Sequence, residues 1–230
     1  MSGRSHSHER RMQEPVHIIS VGAFGRAVAE RLRAIRPDAL ETRADSDVTA
    51  MDPTAWPDAR VNIIAAWRPV IECCELLDRV ACERRCPFVP LIADATTLSL
   101  GPVVVPGGGS CWGCWFRRWK QYAAGLDGRA PLWEYYAAHP AAGPRGYLQP
   151  FAVIGASRLS GTIDALDNGD EIGGSLWQID IMTRAIAVST VVGVHDCPRC
   201  GLGRPPETRS FAEMHHALAD LWQDENGKRE

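Results

Sequence analysis

The sequence predicts an α/β fold: a Rossmann-like parallel sheet joined to an antiparallel extension that a metal clips shut. Three observations carry this. Apolar runs alternate with helix-periodic segments through residue 93, the pattern of strand–helix–strand units in a parallel sheet. Gly22 and Gly25 follow the first run, as in a turn that leads a strand into a helix. Two Cys-x-x-Cys pairs, Cys111/Cys114 and Cys197/Cys200, lie far apart in the chain. Each pair puts two sulfurs on one tight turn, so four can close a tetrahedral zinc shell. A closed shell has no open position, so the zinc would be structural and would staple the middle of the chain to its C-terminal part. The alternatives are two unrelated thiol pairs or a disulfide.

Taken in order, Val16 to Val21 is a short apolar run, and Arg26 to Ile35 carries apolar residues at 28, 32 and 35, a helical period closed by Pro37. A second strand is expected near Leu40 to Arg43. Val61 to Trp67 is continuously apolar, as buried parallel strands are. Pro69 opens a helix bearing Val70, Leu76, Leu77 and Val80, and Phe88 to Ala93 reads as a further strand. Leu100 to Pro106 leads into the first cysteine pair. Residues 116–150 are rich in Trp, Tyr, Arg and Pro and read as two short helices with a loop between them. Ser157 to Leu166 is expected to be helical. Leu176 to Met182 and Ala185 to Val192 alternate, which predicts an antiparallel pair turning at Thr183-Arg184. Phe211 to Trp222 reads as a final helix. The expected organisation is a tail at 1–15, a Rossmann-like half at 16–110, a zinc-clipped half at 111–204, and a C-terminal helix and tail at 205–230.

Composition narrows the function. The 230 residues are 45% hydrophobic and 23% charged, as in ordinary soluble proteins. A net charge of −3 argues against nucleic acid as the main partner. No apolar run reaches the roughly 18 residues of a membrane span, and the polar N-terminus lacks the core of a secretory signal. A cytoplasmic location is therefore expected, where thiols stay reduced and paired cysteines favour metal over disulfide.

The glycine turn is the candidate nucleotide site, because backbone amides at a helix N-terminus can approach a phosphate. Only two of the fingerprint's three glycines are present, and Phe24 stands where a small residue would be needed. Glu41, Asp45 and Asp47 are the acidic candidates for a ribose, none well placed. Gly22 and Gly25 are therefore expected to be a vestige that packs helix on strand. Arg68, past the third strand, could meet an anion or be a solvated helix-start residue, and Trp67 could be core, interface or ligand platform. Cys73, Cys74, Cys82 and Cys86 are expected to be buried small hydrophobes. His6 and His8 could bind metal or belong to a disordered tail, and adjacent His215 and His216 do not share a helix face, so joint metal binding by them is not expected. His195 could support the metal ligands or simply end a strand. Trp112, Trp115, Trp119, Trp133, Tyr135 and Tyr136 suggest either a dimer or partner contact or an apolar shell around the metal.

The glycine turn, the parallel sheet, the stretch Leu100-Gly-Pro-Val-Val-Val-Pro-Gly into Cys111-x-x-Cys114, the antiparallel strands and Cys197-Pro-x-Cys200-Gly together resemble the ThiF-type fold of ubiquitin-activating-like adenylating enzymes. The resemblance runs from about Val16 to Gly201. It is stronger to the divergent branch that partners YcaO cyclodehydratases in ribosomal peptide natural-product biosynthesis. It implies zinc on Cys111, Cys114, Cys197 and Cys200. It also implies a docking role without catalytic residues, with a precursor peptide or a YcaO-type enzyme as partner; a homodimer is expected from the aromatic segment. Many members clasp the leader peptide with an N-terminal winged helix, and with about 15 residues before the first strand that domain is expected to be absent. The Arg-x-x-x-x-Arg helix and the aspartate pair of the catalytic branch are not found, and Asp94 is an isolated candidate, so ATP is not expected as a cofactor. The alternatives are an ATP-dependent enzyme adenylating a peptide carboxylate and a nicotinamide-linked oxidoreductase.

Overall fold

Strand β1, Val16–Val21, is buried along its whole length. Its alternate side chains serve two cores: Ile18 belongs to one hydrophobic cluster and Ile19 to the other, as the two-residue period of a strand requires. The computed structural model describes residues 14–44, 52–123, 129–139, 142–143, 146–195 and 197–201. The helix expected at 211–222, Asp45, Asp47 and the histidines at 6, 8, 215 and 216 lie outside the described residues.

From β1 the chain enters α1 (Gly22–Ile35) and returns as β2 (Ala39–Ala44). It then crosses to the other side of β1 as β3 (Val61–Ala66), passes through α2 (Ile71–Arg84) and adds β4 (Phe88–Asp94). All three pairings among these strands are parallel. Three antiparallel strands follow: β5 (Thr97–Leu100), β6 (Ser175–Asp180) and β7 (Ile186–Thr190). They complete one seven-stranded sheet of order β2-β1-β3-β4-β5-β6-β7. The class is therefore the expected one, a parallel Rossmann-like half with an antiparallel extension. The extension begins earlier than expected, at β5, ahead of the cysteine pair.

Helices α3 (Trp112–Ala123), α4 (Arg129–Ala138) and α5 (Gln149–Asp167) complete the α-helices among the described residues. One face of the sheet, with Ile18, Ile63, Ala65 and Leu91, is covered by α1 and α5 through Phe24, Val28, Leu32, Phe151 and Leu159. The opposite face, with Ile19, Ile64 and Ala66, is covered by α2, α3 and α4 through Leu77, Trp112, Phe116 and Trp133. α5 starts well before the expected Ser157, because Pro150 sits in its first turn, where a missing N–H costs nothing. The first of the two short helices expected within 116–150 begins inside the cysteine pair, at Trp112 rather than after it. The Thr183-Arg184 turn is present, held by the Asp180 carboxylate, which accepts from the backbone N–H groups of Met182 and Thr183.

A polar chain runs through the buried sheet. The His17 ring pairs with Asn62 Oδ1 and Thr42 Oγ1, each at 2.8 Å, and Asn62 Nδ2 donates to Cys86 Sγ at 3.1 Å. Cys73, Cys74 and Cys86 are buried as expected, whereas Cys82 is half-buried. Burial, outweighing the Asn62 hydrogen bond, depresses the His17 pKa. The unfolded chain therefore binds a proton that the folded chain refuses, and stability falls as pH drops below the ordinary histidine value of about 6.5. The unfolding midpoint should drop as the pH is taken from neutral to mildly acidic, and His17→Gln should flatten that drop, measured by thermal denaturation across the range.

At Gly25 an added Cβ would stand 2.4 Å from the Ala65 carbonyl oxygen and 2.9 Å from the Ser20 backbone. Gly25→Ala should therefore force α1 off the sheet and destabilise by about 2 kcal/mol, read from denaturant unfolding.

Candidate metal centre and glycine turn

The first cysteine pair sits at the start of α3. Cys111 precedes the helix, and its carbonyl accepts the Cys114 N–H at 3.2 Å, so both sulfurs lie on one turn. The second pair closes likewise, with the Gly201 N–H donating to the Cys197 carbonyl at 2.8 Å. The four sulfurs of Cys111, Cys114, Cys197 and Cys200 lie within 4.8 Å of one another. Neighbouring separations are 3.7 Å for Cys111–Cys114, 3.6 Å for Cys111–Cys197 and 3.4 Å for Cys114–Cys200. A zinc–sulfur distance of about 2.3 Å gives a tetrahedral edge of about 3.8 Å, so the cluster fits such an ion. Four thiolates with no fifth donor make a closed, structural site whose contribution would be folding energy.

As thiols the four share their protons unevenly. Hydrogen bonds from Cys111 and Cys114 hold the Cys200 pKa down at about 4, while hydrogen bonding to Cys114 and Cys200 pushes Cys111 up. The outer partner of the sulfurs is not His195, which is exposed. It is the Val194 backbone, whose N–H donates to Cys114 Sγ at 3.2 Å.

The residue that sequence reasoning missed is Asp78, in the middle of α2 and without exposure to solvent. Its carboxylate accepts from the backbone N–H groups of Trp112 at 3.0 Å and Gly113 at 3.2 Å, and from Arg199 Nη1 at 2.5 Å. One side chain thus caps α3, where a negative charge complements the helix dipole, and ties both cysteine turns to α2. Arg199 lies inside the Cys197-Pro-Arg-Cys200 turn, a position that could have signalled an anionic partner.

The glycine turn is arranged differently. Gly22 has φ +66°, and an added Cβ there would stand 2.2 Å from Trp67 Nε1. An added Cβ on Gly143 would stand 2.2 Å from the far edge of the same indole. Trp67 therefore lies across the turn, between Gly22 and Gly143. Arg68 is buried rather than solvated, and it donates to the Tyr136 carbonyl at 3.0 Å with its guanidinium over the Trp67 and Tyr136 rings. Burial lowers the Arg68 pKa. Glu41 accepts from Ser20 Oγ at 2.7 Å and lies beside Arg43 at 3.4 Å.

The tryptophans form a layer on α3 and α4 rather than a shell on the metal. Trp119 and Trp133 stack with centroids 3.8 Å apart, and Phe116 stacks on both. The apolar neighbour of the cysteine cluster is Val194. Tyr135 remains exposed.

No protein-family model and no curated protein matches the chain. Among solved structures it shares its fold with the heterocyclase TruD, at TM-score 0.57 and 18% identity over 86% of this chain and 28% of that one. A heterocyclase solved with substrate and cofactor gives TM-score 0.55 and 16% identity over 84% of this chain and 26% of that one. E. coli MccB bound to AMPCPP and MccA gives TM-score 0.59 and 12% identity over 84% and 68% of the two chains. The chain thus spans little more than a quarter of the heterocyclases' length. Among the described residues no helix is long and apolar enough to cross a membrane.

Asp78→Asn should keep the shape but weaken the hold on both turns. The expected result is a loss of metal affinity of roughly 10- to 100-fold, as for other outer partners of ligands. It is measured by competition with a chromophoric chelator.

Proposed function

We propose that this chain is a ThiF-like accessory protein of ribosomal peptide natural-product biosynthesis. It binds a precursor peptide, a YcaO-type modifying enzyme or both, without itself performing catalysis. Cys111, Cys114, Cys197 and Cys200 hold a structural zinc in this reading, and the chain self-associates. Gly22 and Gly25 are kept for packing. The observation that carries the non-catalytic reading is Trp67, whose indole lies against Gly22. A phosphate at the N-terminus of α1 needs backbone amides open to it, and here a bulky side chain takes that space. The peptide-pathway reading draws its support from the fold shared with the heterocyclases and with MccB solved with MccA.

A second reading, ATP-dependent adenylation of a peptide carboxylate, is favoured by the same fold likeness to MccB solved with ATP, at TM-score 0.56 and 13% identity. Calorimetric titration of the zinc-loaded protein with ATP and magnesium separates the two. The expected result is no heat of binding into the millimolar range, together with binding of the precursor peptide or YcaO-type protein encoded beside the chain. Micromolar ATP affinity would reverse the assignment.

A further inference from the structure

The sheet face that carries Ile18 and Ile63 is covered by α1 and, beside it, α5, which lies over β4 and β5. On β6, Trp177 is still buried, with the Arg158 guanidinium of α5 4.6 Å from its ring centroid. Among the described residues the cover stops there. β7 is the edge strand and is exposed along its whole length. Val188 stands opposite Trp177, and Ile186 opposite Ile179. Directly opposed residues share a face of the sheet, so both project on the side of α5. They are 76% and 59% exposed. The other face of β7 carries only the small side chains of Ala187 and Ser189. The large apolar groups thus collect on the side where a helix layer already exists, and that layer ends one helix short.

The spacing suits one more helix. Packed helices lie about 10 Å apart, and paired strands about 4.8 Å. A helix beside α5 would therefore sit two strands further on, over β6 and β7. The flank of α5 is open to it: an added Cβ on Gly161, three residues beyond Arg158, would meet nothing within 4 Å. The chain carries a segment of matching chemistry. Phe211, Met214, Leu218, Leu221 and Trp222 recur at i, i+3, i+7, i+10 and i+11, a single apolar stripe in helical spacing. Glu213 and Asp220 fall on the opposite side of that stripe. The segment is also within reach. Val194, four residues past the end of β7, donates to Cys114 Sγ, and Gly201 closes onto Cys197, so the chain leaves the cysteine cluster close to β7. Residues 202–210 span up to about 30 Å when extended, enough to round the β7 edge from the layer of α2 and α3 to that of α5.

We propose that residues 211–222 are the missing cover: a helix laid beside α5, with Phe211, Met214, Leu218, Leu221 and Trp222 turned down onto Ile186 and Val188 of the same chain. A tethered segment is held at high effective concentration and loses no free translation on docking, as a second molecule would. This cover is independent of the peptide-pathway reading above.

The test uses the full chain with the photo-cross-linker p-benzoylphenylalanine in place of Val188 or, as the control on the opposite face, of Ala187. After irradiation the products are sized and mapped by mass spectrometry. The expected result is a product of single-chain mass in which position 188 is joined to residues 211–222, with much less from position 187. A product of twice the mass would assign the face to a second copy and overturn the proposal. So would a cross-link to any other segment, or equal yields from the two positions, nil included. A second measurement compares Val188→Ser, Leu218→Ser and the double variant by denaturant unfolding. Each single change should lower the midpoint, and the double variant should lose less than the sum, as residues in contact do. No loss with Val188→Ser, or strictly additive losses, would also overturn it. If a variant fails to fold, the cross-link map decides.

Discussion

The Asp78 carboxylate has no contact with solvent, and what compensates it fixes much of the molecule. A buried carboxylate survives only when its oxygens are fully engaged. Here the donors come from the start of α3 and from Arg199, so three segments distant in sequence must meet at one point. The cysteine cluster imposes the same meeting from the other side, because Cys111 and Cys114 flank the amides that Asp78 caps. Neither arrangement alone sets the geometry. The sulfurs bring two turns together, and the carboxylate orients both on α2.

That anchoring explains the position of the aromatic layer. α3 leaves the first cysteine turn at a fixed angle, so Trp112, Trp115, Phe116 and Trp119 descend from it as successive turns of one helix. α4 then brings Trp133 onto Trp119. Aromatic pairs contribute about 1 kcal/mol each beyond their burial, so the layer adds to the packing of α3 and α4 on the sheet. The layer covers the β3–β4 side of the sheet, whereas β7 at the far edge lies uncovered, with Val188 76% exposed.

The legible parts of the sequence were the local ones. Cys-x-x-Cys spacing fixes where two sulfurs point whatever the surroundings, and the four cysteines do converge. The continuous apolar runs at Val16 and Val61 became the fully buried β1 and β3. What stayed hidden depended on partners remote in sequence. Asp78 reads as one more acidic residue in a charged helix until Arg199 and the α3 amides are placed around it. β5 is only four residues long, and its alternation (Leu98 and Leu100 buried, Thr97 and Ser99 partly exposed) is too short to separate from a loop. Pro150 closes a stretch rich in aromatics and prolines, where nothing local separates a loop proline from one at a helix start. Arg68 stays open in the sequence between an anion ligand and a solvated residue, because nothing local reveals that Tyr136, remote in the chain, covers it beside Trp67.

Trp67 shows how the two halves of the chain divide the work. In a doubly wound sheet the crevice for a ligand opens where successive strands go to opposite sides. In this sheet that point lies between β1 and β3, since β2 flanks β1 on one side and β3 on the other. The residues leaving those two strands are Gly22 and Trp67, and the indole of one lies on the backbone of the other. The crevice that the topology creates is thus filled by the chain itself. A cavity of about 150 Å³ does lie past β4, at the junction where the parallel strands end and the antiparallel ones begin. Its walls exist only because the cysteine turn launches α3 across that junction. Free space on this face of the sheet thus lies beside the half that carries the cysteine cluster.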